Sequence, residues 1–135
     1  MLKETLINAM EAGGRVLEHY FNKQNLKIDK KEGVNNLVTE ADHASEKAII
    51  DTIHSAFPDH YILSEEAGEL VMESDVKWII DPIDGTVNYA HGIPLCCVSI
   101  GIEKCGNMIM GAVYNPFLKE FYFAEKGAGA HLNEI

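Results

Sequence analysis

The hydrophobic period changes once along this chain, and that change bounds its fold. Leu6, Met10, Gly13, Leu17, Tyr20 and Phe21 recur at steps of three and four, which is one face of an amphipathic helix. Ala41, Ala44/Ser45, Ala48/Ile49, Ile53 and Ala56 mark a second such face, and Phe57-Pro58-Asp59 ends it. Beyond that point the pattern is one of short strands: Tyr61-Ile62-Leu63, Trp78-Ile79-Ile80, Cys97 to Ile102, Met108 to Tyr114 and Phe121-Tyr122-Phe123. Two helices followed by hairpin-linked strands predict an α+β fold, with the helices packed on one face of a largely antiparallel sheet. No internal repeat, low-complexity tract or interdomain linker interrupts it.

Local signals sharpen this outline. Gly13 and Gly14 weaken the first helix by about 1 kcal/mol each, which suggests that it packs closely against another backbone, such as a neighbouring helix. The polar stretch Asn22 to Asn36 reads as a short strand at Leu26-Lys27-Ile28 followed by a mobile loop around Gly33. Thr39 and Asp42 fit the capping pattern that opens a helix, which starts the second helix near Thr39. Lys104-Cys105-Gly106-Asn107 is a hairpin turn in which Gly106 or Asn107 takes a positive φ.

Charge and cysteine usage exclude several classes of function. Eleven Lys and Arg against 21 Asp and Glu leave 135 residues with a formal net charge of −10. Such a chain repels a phosphate backbone, so neither nucleic acid nor an anionic membrane surface is an expected partner. The longest stretch without Asp, Glu, Lys or Arg, Gly85 to Ile102, contains Thr86, Asn88, His91, Pro94 and Ser99 and fails as a membrane span. Cys96, Cys97 and Cys105 have the spacing of neither a disulfide framework nor a zinc site, and the N-terminus lacks a signal peptide's apolar centre. A reducing, cytoplasmic setting follows as an expectation. Without a paired base, Cys97 is a poor candidate nucleophile. The six histidines show no ligand spacing and read as surface or core residues.

The chemistry concentrates in Trp78-Ile79-Ile80-Asp81-Pro82-Ile83-Asp84-Gly85-Thr86-Val87-Asn88-Tyr89. A buried strand runs straight into two carboxylates. Pro82 fixes its own φ and disfavours helix at Asp81, so the strand ends rigidly and Asp81 and Asp84 can face one small volume. If a short helix starts near Thr86, its amides and dipole suit a phosphate oxygen, and Gly85 lets the anion approach. Two close carboxylates stay ionised together only with a cation between them, and hard oxygen ligands suit Mg²⁺. The same ion would let an acidic protein bind an acidic substrate. Asp-Pro-x-Asp-Gly is also ordinary turn chemistry, so these five residues alone leave both readings open. Glu65 follows the apolar strand at Tyr61-Ile62-Leu63 and is a second strand-end acid; Asp42 alone reads equally as a first-turn acid.

Together these segments resemble the N-terminal half of the inositol monophosphatase family, Mg²⁺-dependent, lithium-sensitive phosphomonoesterases. Asp81 to Tyr89 matches its DPxDGTxNF-type signature, with Tyr89 in place of the commoner Phe. Leu37-Val38-Thr39-Glu40-Ala41-Asp42 and Ser64-Glu65-Glu66 match its two upstream motifs in order, and Gly127-Ala128-Gly129-Ala130 with Leu132-Asn133 resembles its glycine-rich hairpin, although Glu134 stands where a glycine is usual.

The resemblance implies the first half of a layered αβαβα fold, with residues 1–135 as its metal- and phosphate-binding half and the C-terminal half absent. It implies two or three Mg²⁺ ions, with Glu65, Asp81 and the Ile83 carbonyl on the first and Asp81 and Asp84 on the second. Asp84, Gly85 and Thr86 would receive the phosphate, and Thr86, oriented by Asp42, would act with Glu65 to activate water without a phosphoenzyme. Lys31 sits where the family often carries a lysine on a mobile loop near the metals; a solvated loop lysine is the alternative. A further metal-binding aspartate, in a Trp-Asp pair, belongs to the family's second half, and Trp78 is followed here by Ile79. The expected activity is hydrolysis of a small polyol or sugar phosphate, foremost myo-inositol monophosphate, by a homodimer. The alternatives are a fructose-1,6-bisphosphatase, a 3′-phosphonucleotide phosphatase, or a non-catalytic truncated binding module.

Overall fold

The computed structural model describes residues 2–25, 31–65 and 67–133, and the side chains at 22–38 lie outside that description. Helices α1 (Leu2–Asn25) and α2 (Lys31–Ala56) lie against one face of a seven-stranded sheet. Its strands are β1 (Tyr61–Ser64), β2 (Gly68–Leu70), β3 (Val76–Asp84), β4 (Cys97–Lys104), β5 (Asn107–Asn115), β6 (Glu120–Glu125) and β7 (Gly129–Leu132), and a short helix α3 (Thr86–Ala90) follows β3. The order across the sheet is β2-β1-β3-β4-β5-β6-β7. The α+β expectation holds. The sheet is mixed, however, because β1 and β3 pair in parallel while every other neighbouring pair is antiparallel.

Alternation explains the layering. Trp78, Ile80, Val98, Ile100, Ile102, Met110 and Ala112 turn to one face and are buried, and the helices cover them with Leu6, Ala9, Met10, Leu17, Ala41, Ile49 and Ile53. Gly13 and Gly14 lie in this layer. A Cβ at Gly13 would meet Ile49 Cδ1 at 2.9 Å, and one at Gly14 would meet Tyr114 Cε2 at 2.5 Å. Close packing is therefore the reason for both glycines, with side chains of α2 and β5 as the neighbours rather than the backbone that the sequence suggested.

Other local expectations shift. Helix α2 starts at Lys31, eight residues before Thr39, so Thr39 and Asp42 lie inside it and do not cap it. Once a helix is nucleated, each added residue gains a hydrogen bond, so extension overrides an internal capping pattern. The strand expected at 26–28 lies outside the described residues. Strand β2 pairs antiparallel with β1 and is not among the strands that the sequence suggested. In the β4–β5 turn, Gly106 (φ 80°) takes the positive φ expected of it or of Asn107, and Cys105 (φ 52°) joins it in the left-handed region. Both central residues of a two-residue hairpin loop need that conformation, and here they are residues 105 and 106.

Candidate functional site

The parallel pairing of β1 with β3 creates the site. Its register sets Ser64 beside Ile80, so the next residues, Glu65 and Asp81, emerge together at the carboxyl ends of adjacent strands. The Glu65 amide donates to the Ile80 carbonyl at 3.1 Å and fixes that juxtaposition. The two side chains are hydrogen-bonded, and the Asp81 carboxyl is pushed up to about 7. Burial is the largest cause, followed by the bond to Glu65 and the charges of Glu65 and Asp84, while the Ile83 amide, donating to Asp81, works the other way. The bond to Glu65 forms through a proton, so it favours the protonated form of Asp81.

Asp84 joins them through a bulge. Asp81 pairs with Ser99 and Asp84 with Cys97, so three steps along β3 oppose two along β4. In an unbroken strand, residues 81 and 84 would point to opposite faces. The extra residue restores Asp84 to the side of Asp81, while Pro82 and Ile83 are both buried. Pro82, which has no amide to give the ladder, falls inside this bulge, where proline is tolerated. Strand β3 thus runs on through Asp84 rather than ending at Asp81. Glu65 and Asp81 face a groove of about 620 Å³ on the side of the sheet away from the helices, also lined by Ser99, Gly101 and Met108.

Gly85 makes the next turn with φ 89° and ψ 43°, and no side chain caps the start of α3. A Cβ there would lie 3.0 Å from the Leu95 carbonyl oxygen, so glycine is required both by conformation and by space. Thr86 is exposed at the first helical position. Asp42 is buried on α2, near enough to Tyr89 that its charge helps burial to raise the tyrosine's pKa. Tyr89 ties α3 to α1 by donating its hydroxyl to the Leu17 carbonyl at 2.8 Å. Lys31 is the first residue of α2, and its side chain lies outside the described residues.

Glu46, which sequence reasoning passed over, and Ser45, which it read only as a helix-face position, hold these segments. Ser45 Oγ donates to the Pro82 carbonyl at 3.1 Å, and Glu46 Oε2 accepts from Ser64 Oγ at 2.7 Å and from the Ala67 amide at 2.8 Å. The available signal was a run of polar residues, Asp42, Ser45 and Glu46, at helical spacing within an apolar face. Cys97 Sγ stands 4.0 Å from Asp84 Oδ2, and its thiol is pushed up to about 11 by burial and then by Asp84 and Asp81. A thiol held protonated at neutral pH is no nucleophile.

The donor set of Glu65, Asp81 and Asp84 is all oxygen, which suits a hard divalent ion. Among the described residues no group of three His, Cys, Asp or Glu side chains is already spaced around one cation position.

The model of the inositol monophosphatase family matches residues 2–135. The chain belongs to that family. It is 40% identical over 136 aligned positions to the Nus factor SuhB of Pasteurella multocida, covering 100% of this chain and 51% of that protein. It is 40% identical over 122 positions to the fructose-1,6-bisphosphatase/inositol-1-monophosphatase of Aquifex aeolicus, covering 90% of this chain and 46% of that one. The crystal structure of the extragenic suppressor protein suhB from Bartonella henselae superposes with a TM-score of 0.87 at 34% identity, over 98% of this chain and 51% of that one. The chain therefore spans about half the length of these family members. Phosphatase chemistry belongs to the family as a class. No described helix is long and apolar enough to cross a membrane.

Proposed function

We propose that this chain supplies the metal- and phosphate-binding half of a Mg²⁺-dependent phosphomonoesterase acting on a small polyol or sugar phosphate, foremost myo-inositol monophosphate. The observation that carries the reading is the placement of Glu65 beside Asp81 at the ends of two parallel strands, one bulge away from Asp84. Glu65, Asp81 and Asp84, with the Ile83 carbonyl, would hold the ions. When bound, Mg²⁺ supplies charge neutralisation at the phosphate and acidifies water.

The chain's own groups do the rest. Asp81 gives up its proton as the site fills. Gly85, bare of a side chain, and the amide of Thr86 admit a phosphate oxygen at the uncapped start of α3. Thr86, oriented by Asp42 from α2, acts with Glu65 to take the proton of the attacking water. Lys31 adds positive charge near the anion. The three free thiols, Cys96, Cys97 and Cys105, support a reducing cytoplasmic setting, and the working form is a homodimer.

Phosphate release from myo-inositol 1-phosphate, fructose 1,6-bisphosphate and a 3′-phosphonucleotide tests this, using the 135-residue chain and any longer parent, with Mg²⁺, EDTA or added Li⁺. Release that needs Mg²⁺, falls with Li⁺ and disappears in Asp84→Asn is the expected result. A folded, metal-loaded parent that releases nothing from any substrate overturns the enzyme reading and leaves a phosphatase-like binding module; some relatives carry the name Nus factor rather than phosphatase.

A further inference from the structure

One turn of α2 touches both acid-bearing segments. Asp42, Ser45 and Glu46 are all buried, at 8%, 0% and 8% exposure, on a helix face otherwise made of Ala41, Ile49 and Ile53. Ser45 grips the bulge from within, since the Pro82 carbonyl that accepts its hydroxyl lies between Asp81 and Asp84. Glu46 grips the other segment twice with a single oxygen, bonding Ser64 on one side of Glu65 and Ala67 on the other.

That bracket is the informative feature. The first residue past β1 is also held on its β3 side by the hydrogen bond of its amide to the Ile80 carbonyl, and the pairing of Ser64 with Gly68 closes the turn; both act on the backbone alone. A buried carboxylate is costly unless its lone pairs are satisfied, and an apolar side chain would fill the same space on α2 without that cost. What an apolar side chain cannot do is accept two hydrogen bonds from residues flanking Glu65.

We propose that Glu46 is a positioning residue for Glu65: through one carboxylate oxygen it holds Ser64 and Ala67, on either side of Glu65, so that the Glu65 carboxylate is presented to the cation site beside Asp81. This rests on the reading of Glu65 and Asp81 as metal ligands. Ser45 does the corresponding work for Asp81 and Asp84, so that α2 sets the spacing between the two halves of the donor set.

Mn²⁺ affords the test, because its free-ion electron paramagnetic resonance signal disappears on binding and needs no turnover. The 135-residue chain is titrated as wild type, Glu46→Ala, Glu46→Gln and Ser64→Ala, and each is unfolded thermally in EDTA. Groups that orient metal ligands typically contribute roughly 10- to 100-fold in affinity, and a loss of that size is expected for Glu46→Ala. Glu46→Gln keeps an oxygen that accepts both bonds and restores most of the affinity, whereas Ser64→Ala, which keeps the Ala67 bond and the packing of α2, loses a smaller part. If Glu46→Ala fails to fold, Ser64→Ala carries the test, and unchanged Mn²⁺ affinity in it overturns the proposal. Wild-type affinity in folded Glu46→Ala, or a Glu46→Gln as weak as Glu46→Ala, overturns it while the metal-site reading stands. A wild-type chain that binds no Mn²⁺ overturns that reading itself.

Discussion

The indole N–H of Trp78 donates a 2.9 Å hydrogen bond to Nδ1 of His60, and Phe57 stacks on the other ring at 4.3 Å between centroids. Nδ1 can accept only while it carries no proton. Burial lowers the pKa of His60, with His54 adding to that effect and Asp59 opposing it. The folded state thus prefers neutral His60 more than the unfolded state does. Its contribution is complete above the unfolded value of 6.5 and is lost as pH falls through the folded value below it. Losing the bond costs about 0.5–1.5 kcal/mol. Urea unfolding at pH 7.5 and pH 5, followed by the fluorescence of Trp78, the chain's single tryptophan, should show a larger gap between the midpoints of wild type and His60→Leu at pH 7.5 than at pH 5.

Tyr89 is the counterpart on the other side of the core. Its ring is buried, it meets Phe21 edge to face, and its hydroxyl reaches the Leu17 carbonyl 72 positions away. Tyr89→Phe keeps the ring and removes only the bond, so a loss of about 0.5–1.5 kcal/mol is expected in denaturant unfolding. Tyr89→Ala also opens a cavity and should cost about 3–5 kcal/mol. Because α3 begins at Thr86, a loosened Tyr89 should also raise amide hydrogen exchange across residues 86–90 in both variants.

What was legible in sequence is what local pattern encodes. Alternating Trp78, Ile80 and Ile100, Ile102 announced strands with one buried face, and Leu6, Met10 and Leu17 announced a helix, because burial of one side imposes the period directly. The identity of the acids was legible for the same reason, since each follows an apolar strand. How they meet was not. Whether β1 runs parallel or antiparallel to β3 depends on β2, three residues long and polar at Glu69, and no periodicity can be read from three residues. The bulge left one trace, a proline inside a strand, but Pro82 also suits the turn that the sequence suggested. Glu46 was hidden because a polar residue on a helix reads as solvent-facing until Ser64 and Ala67, far along the chain, are seen to close over it.

Gly85→Ala should be damaging out of proportion to one methyl. The backbone at φ 89° costs an L-residue roughly 1–2 kcal/mol, and the new Cβ would press on the Leu95 carbonyl oxygen at 3.0 Å. Relief requires moving the start of α3, which is where the phosphate is proposed to sit. Thermal unfolding should show the loss of stability, and ³¹P line broadening of inorganic phosphate, with Mg²⁺ present, should show weaker binding than wild type.

Asp81→Asn should separate stability from function. Asp81 has a folded pKa of about 7 against an ordinary 3.8, so the metal-free fold favours its protonated form. A carboxyl raised in this way contributes stability that is complete below about 3.8 and is lost as pH climbs through 7, when its proton must leave and Asp81 faces the charges of Glu65 and Asp84. Asparagine keeps the shape and a donor for Glu65 but carries no charge at any pH. In EDTA at pH 7.5 the Asp81→Asn chain should therefore melt at or above the wild-type temperature, while at pH 4 the two should converge. Added Mg²⁺ should reverse the order, raising the wild-type midpoint and leaving the variant's unchanged, because the cation stabilises only the state whose ligands it can bind. A wild-type chain that melts higher than Asp81→Asn in EDTA at pH 7.5 would show that the acids do not strain one another in the empty site.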